Sequence, residues 1–273
     1  MRKVVDSNFL QSDRLREYLS KSTKNYVVLT DYVAMEAYKD HTLASIYRSM
    51  RILADFPKQV IVLKTTKTVC GLSGRGAGLQ RRLIDERQTR AFGTYCQDLL
   101  AAKRGDASLQ KRLLNLGYDA TTTMDSIHTD TVNIPSVFGR VAKTYTDAEV
   151  RVLRTGSKIT EEIGYKLVEN ILLLAKHMFK DHPQVTKLPK MRQLPNTFIF
   201  RFALCMQLLL LRWISVGSPT DVKSEKTRND LVDMTFAAYA TYFDGLLTAD
   251  KKLDKIYQEA ALLLPMLFNV NKK

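Results

Sequence analysis

Three short apolar runs rich in β-branched residues lie within the first 66 residues, and helical stretches separate them. The runs are KVV at residues 3–5, YVVLT at residues 26–30 and QVIVL at residues 59–63. Runs of this length are typical of buried strands. The resulting order β-α-β-α-α-β predicts an α/β protein with a parallel sheet flanked by helices.

The C-terminal part of the chain returns to this pattern after a long helical middle. Residues 222–243 are predicted to form a helix, residues 245–248 a strand and the stretch from Lys251 a final helix. Residues 69–221 show helical patterns after a glycine-rich stretch, CGLSGRGAG. We therefore expect residues 1–68 and 222–273 to form one α/β core, with residues 69–221 as a large, basic, all-helical insertion.

The positive charge of the chain is concentrated in its middle. The formal net charge is +14, and residues 67–220 carry 23 Lys and Arg against 13 Asp and Glu. A balance this basic indicates a polyanionic partner, nucleic acid above all. Five arginines near the start of the helical segment are candidate nucleic-acid contacts, with a solvated helix face as the alternative: Arg75, Arg81, Arg82, Arg87 and Arg90. The last four lie on one predicted helix, residues 79–104.

The longest apolar stretch and the cysteines bear on the location of the protein. Residues 198–216 are interrupted by Arg201, Gln207 and Arg212, which favours a buried core helix and no membrane contact. The three cysteines are odd in number and widely spaced, which indicates reduced thiols in a cytoplasmic protein.

Acidic residues recur where the predicted strands end. Asp6 ends the first strand, Glu36 lies on the helix after the second, and Asp250 follows the last. Asp230 and Asp233 share one face near the start of the helix before the last strand. Because strand ends and helix starts of a parallel sheet meet at one edge, we expect these carboxylates to converge. Clustered carboxylates need a cation among them, and hard oxygen ligands suit Mg²⁺ or Mn²⁺.

Each acid taken alone also has a purely structural explanation. Asp6 and Asp250 fit turn residues, Glu36 fits a solvated helix face, and Asp230 or Asp233 fits a helix N-cap. Their shared position after successive sheet elements favours the site. Asp31, at the end of the second strand, is expected only to cap the next helix.

The sequences VVDSNFL, YVVLTDYVAMEAY and NDLVDMTFAAYA…FDGLLTADKKL, in this order, resemble the PIN-like nuclease superfamily. The resemblance covers residues 1–66 and 222–262. It implies a compact α/β/α core with a central parallel sheet and an acidic, metal-dependent site that cleaves RNA, or in relatives structured DNA. The long insertion is not part of a minimal PIN-like domain.

The resemblance also assigns residues by position. It implies four catalytic and metal-binding acids: Asp6, Glu36, Asp233 and Asp250. It implies supporting polar residues as well: Ser7, Asn8, Asp230 and Thr248. Asp233 fits the family pattern better than Asp230, because Ala237 and Ala240 follow it in the expected relation, and the choice between the two acids stays open.

The resulting hypothesis is an endoribonuclease, a hydrolase that uses Mg²⁺ or Mn²⁺ and a water nucleophile and leaves a 5′-phosphate and a 3′-hydroxyl. Two alternatives are a nuclease for single-stranded or branched DNA and a degenerate PIN-like scaffold that binds nucleic acid or protein. A toxin or defence role with an inhibitory protein partner suits the family. A homodimer is compatible with the sequence, which does not fix the oligomeric state.

Overall fold

The computed structural model describes residues 1–38, 42–131, 139, 141–155, 160–216 and 224–268. Over these residues the chain is mixed α/β, as predicted, and mostly helical. It divides into two compact units. The first comprises residues 1–69, 78–127 and 242–254, and the second comprises residues 70–77, 128–241 and 255–273.

The first unit is built on a four-stranded sheet in the order β3-β2-β1-β4. The strands are β1 (Arg2–Val5), β2 (Tyr26–Leu29), β3 (Val60–Val62) and β4 (Leu246–Leu247). Every neighbouring pair is parallel, and Val4 of β1 is in register with Val28 on one side and Leu246 on the other. Val4 and Val28 are fully buried, as the apolar runs predicted for strands of a parallel sheet.

Seven helices that begin in the first unit come after β1, β2 and β3 in the chain. They are α1 (Asp13–Ser20), α2 (Asp31–Tyr38), α3 (Leu43–Asp55), α4 (Thr66–Cys70), α5 (Leu79–Leu83), α6 (Glu86–Lys103) and α7 (Ala107–Thr131). Several of them begin with a hydroxyl cap, α1 and α3 among them. Ser12 Oγ accepts from the Arg14 amide at 3.3 Å, and Thr42 Oγ1 accepts from the Ser45 amide at 3.1 Å.

The single helix predicted for residues 79–104 is wrong, because the chain is extended at Ile84 and Asp85. Ile84 forms an antiparallel bridge with Leu63, and the Asp85 amide donates to the Val62 carbonyl at 2.9 Å. Asp85 then caps α6, accepting from the Gln88 amide at 2.9 Å. A backbone pairing beside β3 and a cap thus override the helical pattern of the sequence.

The second unit is all-helical in its described residues. It contains α8 (Asp147–Thr155), α9 (Glu161–Asp181), α10 (Phe198–Ser215), α11 (Ser224–Ala240) and the end of α12 (Lys251–Phe268). Helix α10 packs against α8, α9 and α11. It is long and apolar enough to cross a membrane, yet 83% of it is buried inside the protein, as predicted for a core helix.

The units differ from the predicted segments 1–68, 69–221 and 222–273. Residues 78–127, predicted as insertion, belong with the sheet: α6 packs on β3, and Thr89 Oγ1 pairs with both the amide and the carbonyl of Val62 at 3.0 and 3.3 Å. Helix α11, predicted as core, belongs to the second unit, because it packs on α10. The predicted boundary at residues 221–222 lies outside the described residues.

The three cysteines are buried, and none of them forms a disulfide bond.

Candidate functional site

Asp6 is the acid at the carboxyl end of the central strand β1. Its amide donates to the Leu247 carbonyl of β4 at 2.9 Å, and its carbonyl accepts from the Phe9 amide at 3.0 Å. This second bond turns the chain into a short 3-10 helix, Ser7–Phe9. The side chain of Asp6 therefore remains at the sheet edge, where it is 2% exposed.

Thr248 joins Asp6 to Asp250. The Thr248 hydroxyl donates to Asp6 Oδ2 at 2.9 Å and accepts from the Asp250 amide at 3.0 Å. Thr248 directly follows β4, and β4 pairs with β1, so the parallel sheet brings residues 6 and 250 to the same edge. Sequence analysis predicted this part of the site.

Asp250 is also the N-cap of α12. Its Oδ1 accepts from the amides of Lys252 and Leu253 at 2.6 and 3.0 Å, the bonding pattern of a capping carboxylate. Asp250 can therefore both cap α12 and contribute to a site, because capping occupies only one of its two carboxylate oxygens.

The pKa of Asp6 lies above its ordinary value. Burial is the main cause, and the charge of Asp250 adds to it. Hydrogen bonds from Thr248, Asn8 and Ser7 to the carboxylate act in the opposite direction. A buried carboxylate beside a second one is a group whose charge a bound cation would stabilise.

Asp31 is a further acid at this edge of the sheet, which sequence analysis assigned as a helix cap. It follows Thr30 at the end of β2, and Thr30, not Asp31, caps α2 by accepting from the Val33 amide at 3.2 Å. Asp31 instead accepts from the amide and the hydroxyl of Thr66, at 2.6 and 2.7 Å. Burial raises the pKa of Asp31. Its carboxylate is thus bonded at the start of α4, and Asp31 is not one of the acids linked through Thr248.

The other predicted acids lie on helices of the two units. Glu36 is partly buried on α2, in the same unit as Asp6 and Asp250. Asp230 is buried and Asp233 is partly buried on α11, in the second unit. The structure therefore brings together two of the four predicted catalytic acids, Asp6 and Asp250, through Thr248.

Among the supporting residues, Ser7 lies with its hydroxyl 3.4 Å from Asp6 Oδ1, and Asn8 is an exposed residue whose backbone amide bonds the Asp6 carboxylate.

The five predicted nucleic-acid contacts lie in both units. Arg75 is exposed on the glycine-rich loop of the second unit. In the first unit, Arg81 pairs with Glu86 at 3.2 Å, and Arg90 Nε donates to the Glu86 carbonyl at 3.1 Å. Arg87 is exposed on α6, and Arg82 is partly buried on α5. The sequence predicted that the last four of these arginines share one helix. In the structure, Arg81 and Arg82 lie on α5, and Arg87 and Arg90 lie on α6.

The donor chemistry of Asp6 and Asp250 fits a hard divalent cation, because both supply carboxylate oxygens. Within the part of the chain that the structure describes, however, no group of three or more His, Cys, Asp or Glu side chains is close enough to hold a metal ion. Asp6 and Asp250 are thus two candidate oxygen ligands, with no third group close to both among the described residues.

Comparison with protein-family models, with curated proteins and with solved structures gives no match for the chain. Its function must therefore be inferred from its own residues.

Proposed function

We propose that the chain is a metal-dependent endoribonuclease, with a PIN-like α/β/α core interrupted by a basic helical segment. The observation that carries the proposal is the pairing of Asp6 with Asp250 through one threonine hydroxyl. Two acids 244 residues apart in the chain meet at the carboxyl edge of a parallel sheet, where ligands of α/β proteins bind. The net charge of +14 supports a polyanionic substrate.

In this proposal Asp6 and Asp250 hold Mg²⁺ or Mn²⁺, with Glu36 of the same unit as a further ligand that the PIN-like resemblance implies. The ion supplies Lewis-acid activation of water and of the phosphodiester. Thr248 fixes the orientation of Asp6, and the cap at α12 fixes Asp250. Exposed arginines such as Arg87 attract the RNA backbone.

The test is hydrolysis of end-labelled RNA in the presence of Mg²⁺ or Mn²⁺, with EDTA as the control. Asp6→Asn and Asp250→Asn are each expected to reduce the cleavage rate by at least about 100-fold, more than the loss typical of residues outside the ligand shell. Unchanged cleavage in both variants would show that the assignment is wrong. A parallel assay with single-stranded and branched DNA distinguishes the DNA alternative.

Asp250 needs a matched pair of variants because it also caps α12. Asparagine caps a helix about as well as aspartate, whereas alanine loses about 0.5–2 kcal/mol of stability. We therefore expect Asp250→Asn to lose cleavage with little change in thermal stability, and Asp250→Ala to lose both. Loss of cleavage in the alanine variant alone would assign Asp250 a capping role only.

One observation favours a second candidate function, a PIN-like scaffold without catalysis: among the described residues, no group of three or more His, Cys, Asp or Glu side chains could hold a metal ion. Thermal unfolding with added Mn²⁺ separates the two. An ion bound by the native state at 100 times its Kd stabilises by about 2.7 kcal/mol, so the melting temperature of the wild type should rise and that of Asp6→Asn should not. Equal responses of the two proteins would favour the scaffold.

A further inference from the structure

A cleft lies between helix α3 and the end of helix α6 in the first unit. Its volume is about 430 Å³, within the range of small-ligand sites. Leu43 and Ala44 of α3 and Leu99 and Ala102 of α6 give it an apolar lining. None of the residues predicted for the acidic site or for nucleic-acid contact lines this cleft.

Three cations line the same cleft: Arg48, Arg51 and Lys103. Arg48 and Arg51 are three residues apart on α3 and therefore share one face of the helix, and Lys103 comes from α6. All three are exposed, and none forms an ion pair within the described part of the chain. No acidic residue is among the residues that line the cleft.

An aromatic ring lies beside these cations. Tyr47 of α3 lines the cleft, and Lys103 Nζ is 3.8 Å from the centre of its ring. This cation–π interaction holds the ammonium group of Lys103 against the cleft without neutralising its charge. Guanidinium groups match the geometry of phosphate oxygens, and an apolar, partly aromatic lining suits a sugar and a base.

We propose that this cleft binds one nucleotide of a single-stranded RNA, with its phosphate among Arg48, Arg51 and Lys103. The inference rests on the proposed function only in taking RNA as the ligand. Concave shape, apolar lining and unpaired cations occur together here, whereas an exposed helix face would supply the cations alone. The cleft is a second RNA-binding site, defined by residues other than those of the acidic site.

The experiment is a fluorescence-anisotropy titration of a short labelled single-stranded RNA with the full chain carrying Asp6→Asn. In this background the triple variant Arg48→Ala, Arg51→Ala, Lys103→Ala is expected to bind about 10- to 100-fold more weakly, if each side chain contributes two- to fivefold. The slope of log K against log salt should also become shallower, by about 0.7 for each phosphate of the single strand that the variant no longer neutralises.

Two further variants distinguish RNA binding in the cleft from nonspecific attraction by the positive charge of the protein. Ala44→Trp fills the cleft without changing the net charge, at an exposed position that tolerates a larger side chain. It should weaken binding about five- to tenfold, the low end of the value of base–aromatic stacking. The control removes three exposed cations outside the cleft, Lys21, Lys24 and Lys58, by alanine substitution. Equal losses of affinity in the control and the cleft triple variant, with no effect of Ala44→Trp, would overturn the proposal.

Competition experiments show whether the cleft binds an RNA strand or a free phosphate compound. A nucleoside monophosphate or inorganic phosphate should displace the RNA only weakly, and displacement as effective as that by unlabelled RNA would contradict a strand-binding site. Binding is scored without cleavage, so a chain that binds through the cleft but never hydrolyses RNA would refute the nuclease proposal alone. A chain that cleaves RNA with unchanged affinity in the cleft variants would refute the cleft alone.

Discussion

Thr248 has one hydroxyl group that serves two carboxylate residues. It donates to Asp6 Oδ2 and accepts from the amide of Asp250. The hydroxyl hydrogen is therefore directed at Asp6, and the lone pair at the start of α12. A side chain of the same shape without the oxygen would leave both groups without this partner in a part-buried place.

Replacing Thr248 with valine tests this role. We expect Thr248→Val to lower the free energy of unfolding by about 1–3 kcal/mol, because two polar groups lose a partner. Under the proposed function, cleavage should fall about 10- to 100-fold, as it does for residues that orient ligands. Urea denaturation and the RNA assay measure the two effects. Thr248→Ser keeps the hydroxyl and should restore most of the activity; equal defects in both variants would show that the methyl group, not the hydrogen bond, matters.

The raised pKa of Asp6 predicts a pH dependence of stability. The native state holds the proton at Asp6 more tightly than the unfolded state, so the stability of the wild type falls as pH rises from the ordinary carboxyl pKa, about 3.9, through the raised value. Asp6→Asn removes this loss. Its free energy of unfolding, minus that of the wild type, should therefore increase with pH by about 1.4 kcal/mol for each unit by which the pKa is raised.

Urea denaturation in EDTA, repeated from about pH 4 to about pH 8, measures this difference across the carboxyl range. Asp13→Asn, which removes an exposed carboxylate, is the matched control. A difference that stays constant or falls with pH would contradict the placement of Asp6 in a buried site.

At the level of single residues, the sequence predicted Asp6 and Asp250 because each follows an apolar run, and the PIN-like resemblance implied Thr248. The sequence did not predict the tertiary bonds of Asp31, since an acid before a helix has an ordinary explanation as a cap. The competing cap, Thr30, is a residue earlier in the chain. The hydrogen bonds of Asp31 with Thr66 show that Asp31 is not the cap, and these bonds join residues 35 positions apart in the chain.

The elements of the first unit show where local patterns suffice and where they fail. Alternating strands and helices predicted the parallel sheet, which the structure confirms. The break between α5 and α6 was not predicted, because residues 79–104 have a helical pattern throughout. Helix α5 ends because Ile84 forms a bridge with Leu63. These residues are 21 positions apart, so the local sequence does not predict their pairing.

Asp85 is the residue that starts α6 after this break. Its carboxylate accepts from the Gln88 amide, and this bond is the main cause of a lowered pKa at Asp85. Asp85→Ala should cost about 0.5–2 kcal/mol of stability, whereas Asp85→Asn should cost little because asparagine also caps. Because the pKa is lowered, the contribution is present above the ordinary carboxyl pKa and is lost as pH falls through the lowered value. Chemical denaturation of both variants measures it, and equal losses of stability would exclude capping.

Glycines in different elements should respond in opposite ways to alanine. At Gly74 a Cβ would lie 2.2 Å from the carbonyl oxygen of Gln193, so Gly74→Ala forces the backbone apart and should cost about 1–3 kcal/mol. At Gly93, inside α6, nothing lies within 4 Å of an added Cβ. Gly93→Ala should therefore stabilise the protein by about 0.5–1 kcal/mol through helix propensity. Thermal unfolding compares them, and destabilisation by both would contradict the open space at Gly93.

The whole chain passes between its two compact units five times, after residues 69, 77, 127, 241 and 254. Composition and charge suggested one unit from the chain ends and one from the middle, whereas each of the two units combines residues from both. Their boundaries were not predictable from periodicity, because the helices of both units have the same pattern. Packing on β3 places α6 in the first unit, and packing on α10 places α8, α9 and α11 in the second.

The C-terminal end of the first unit should be indispensable for the sheet. Ending the chain after residue 241 removes β4, together with the bonds from Val4 to Gly245 and from Asp6 to Leu247. The exposed edge of β1 should then cause aggregation. We expect most of this truncated protein in the insoluble fraction after expression, and the protein ended after residue 268 in the soluble fraction. Equal solubility of the two would show that β1 does not depend on β4.

The pairing of β1 with β4 also determines when the acidic site can exist during translation. Asp6 is synthesised well before its partner Thr248, which is made 242 residues later. At about 5–20 residues per second, this interval lasts roughly 12 to 50 s. During it the nascent chain has a central strand without one neighbour and a carboxylate without its threonine. Under the proposed function, the nuclease would be inactive while it is being synthesised and would spare the messenger RNA and the ribosome that produce it.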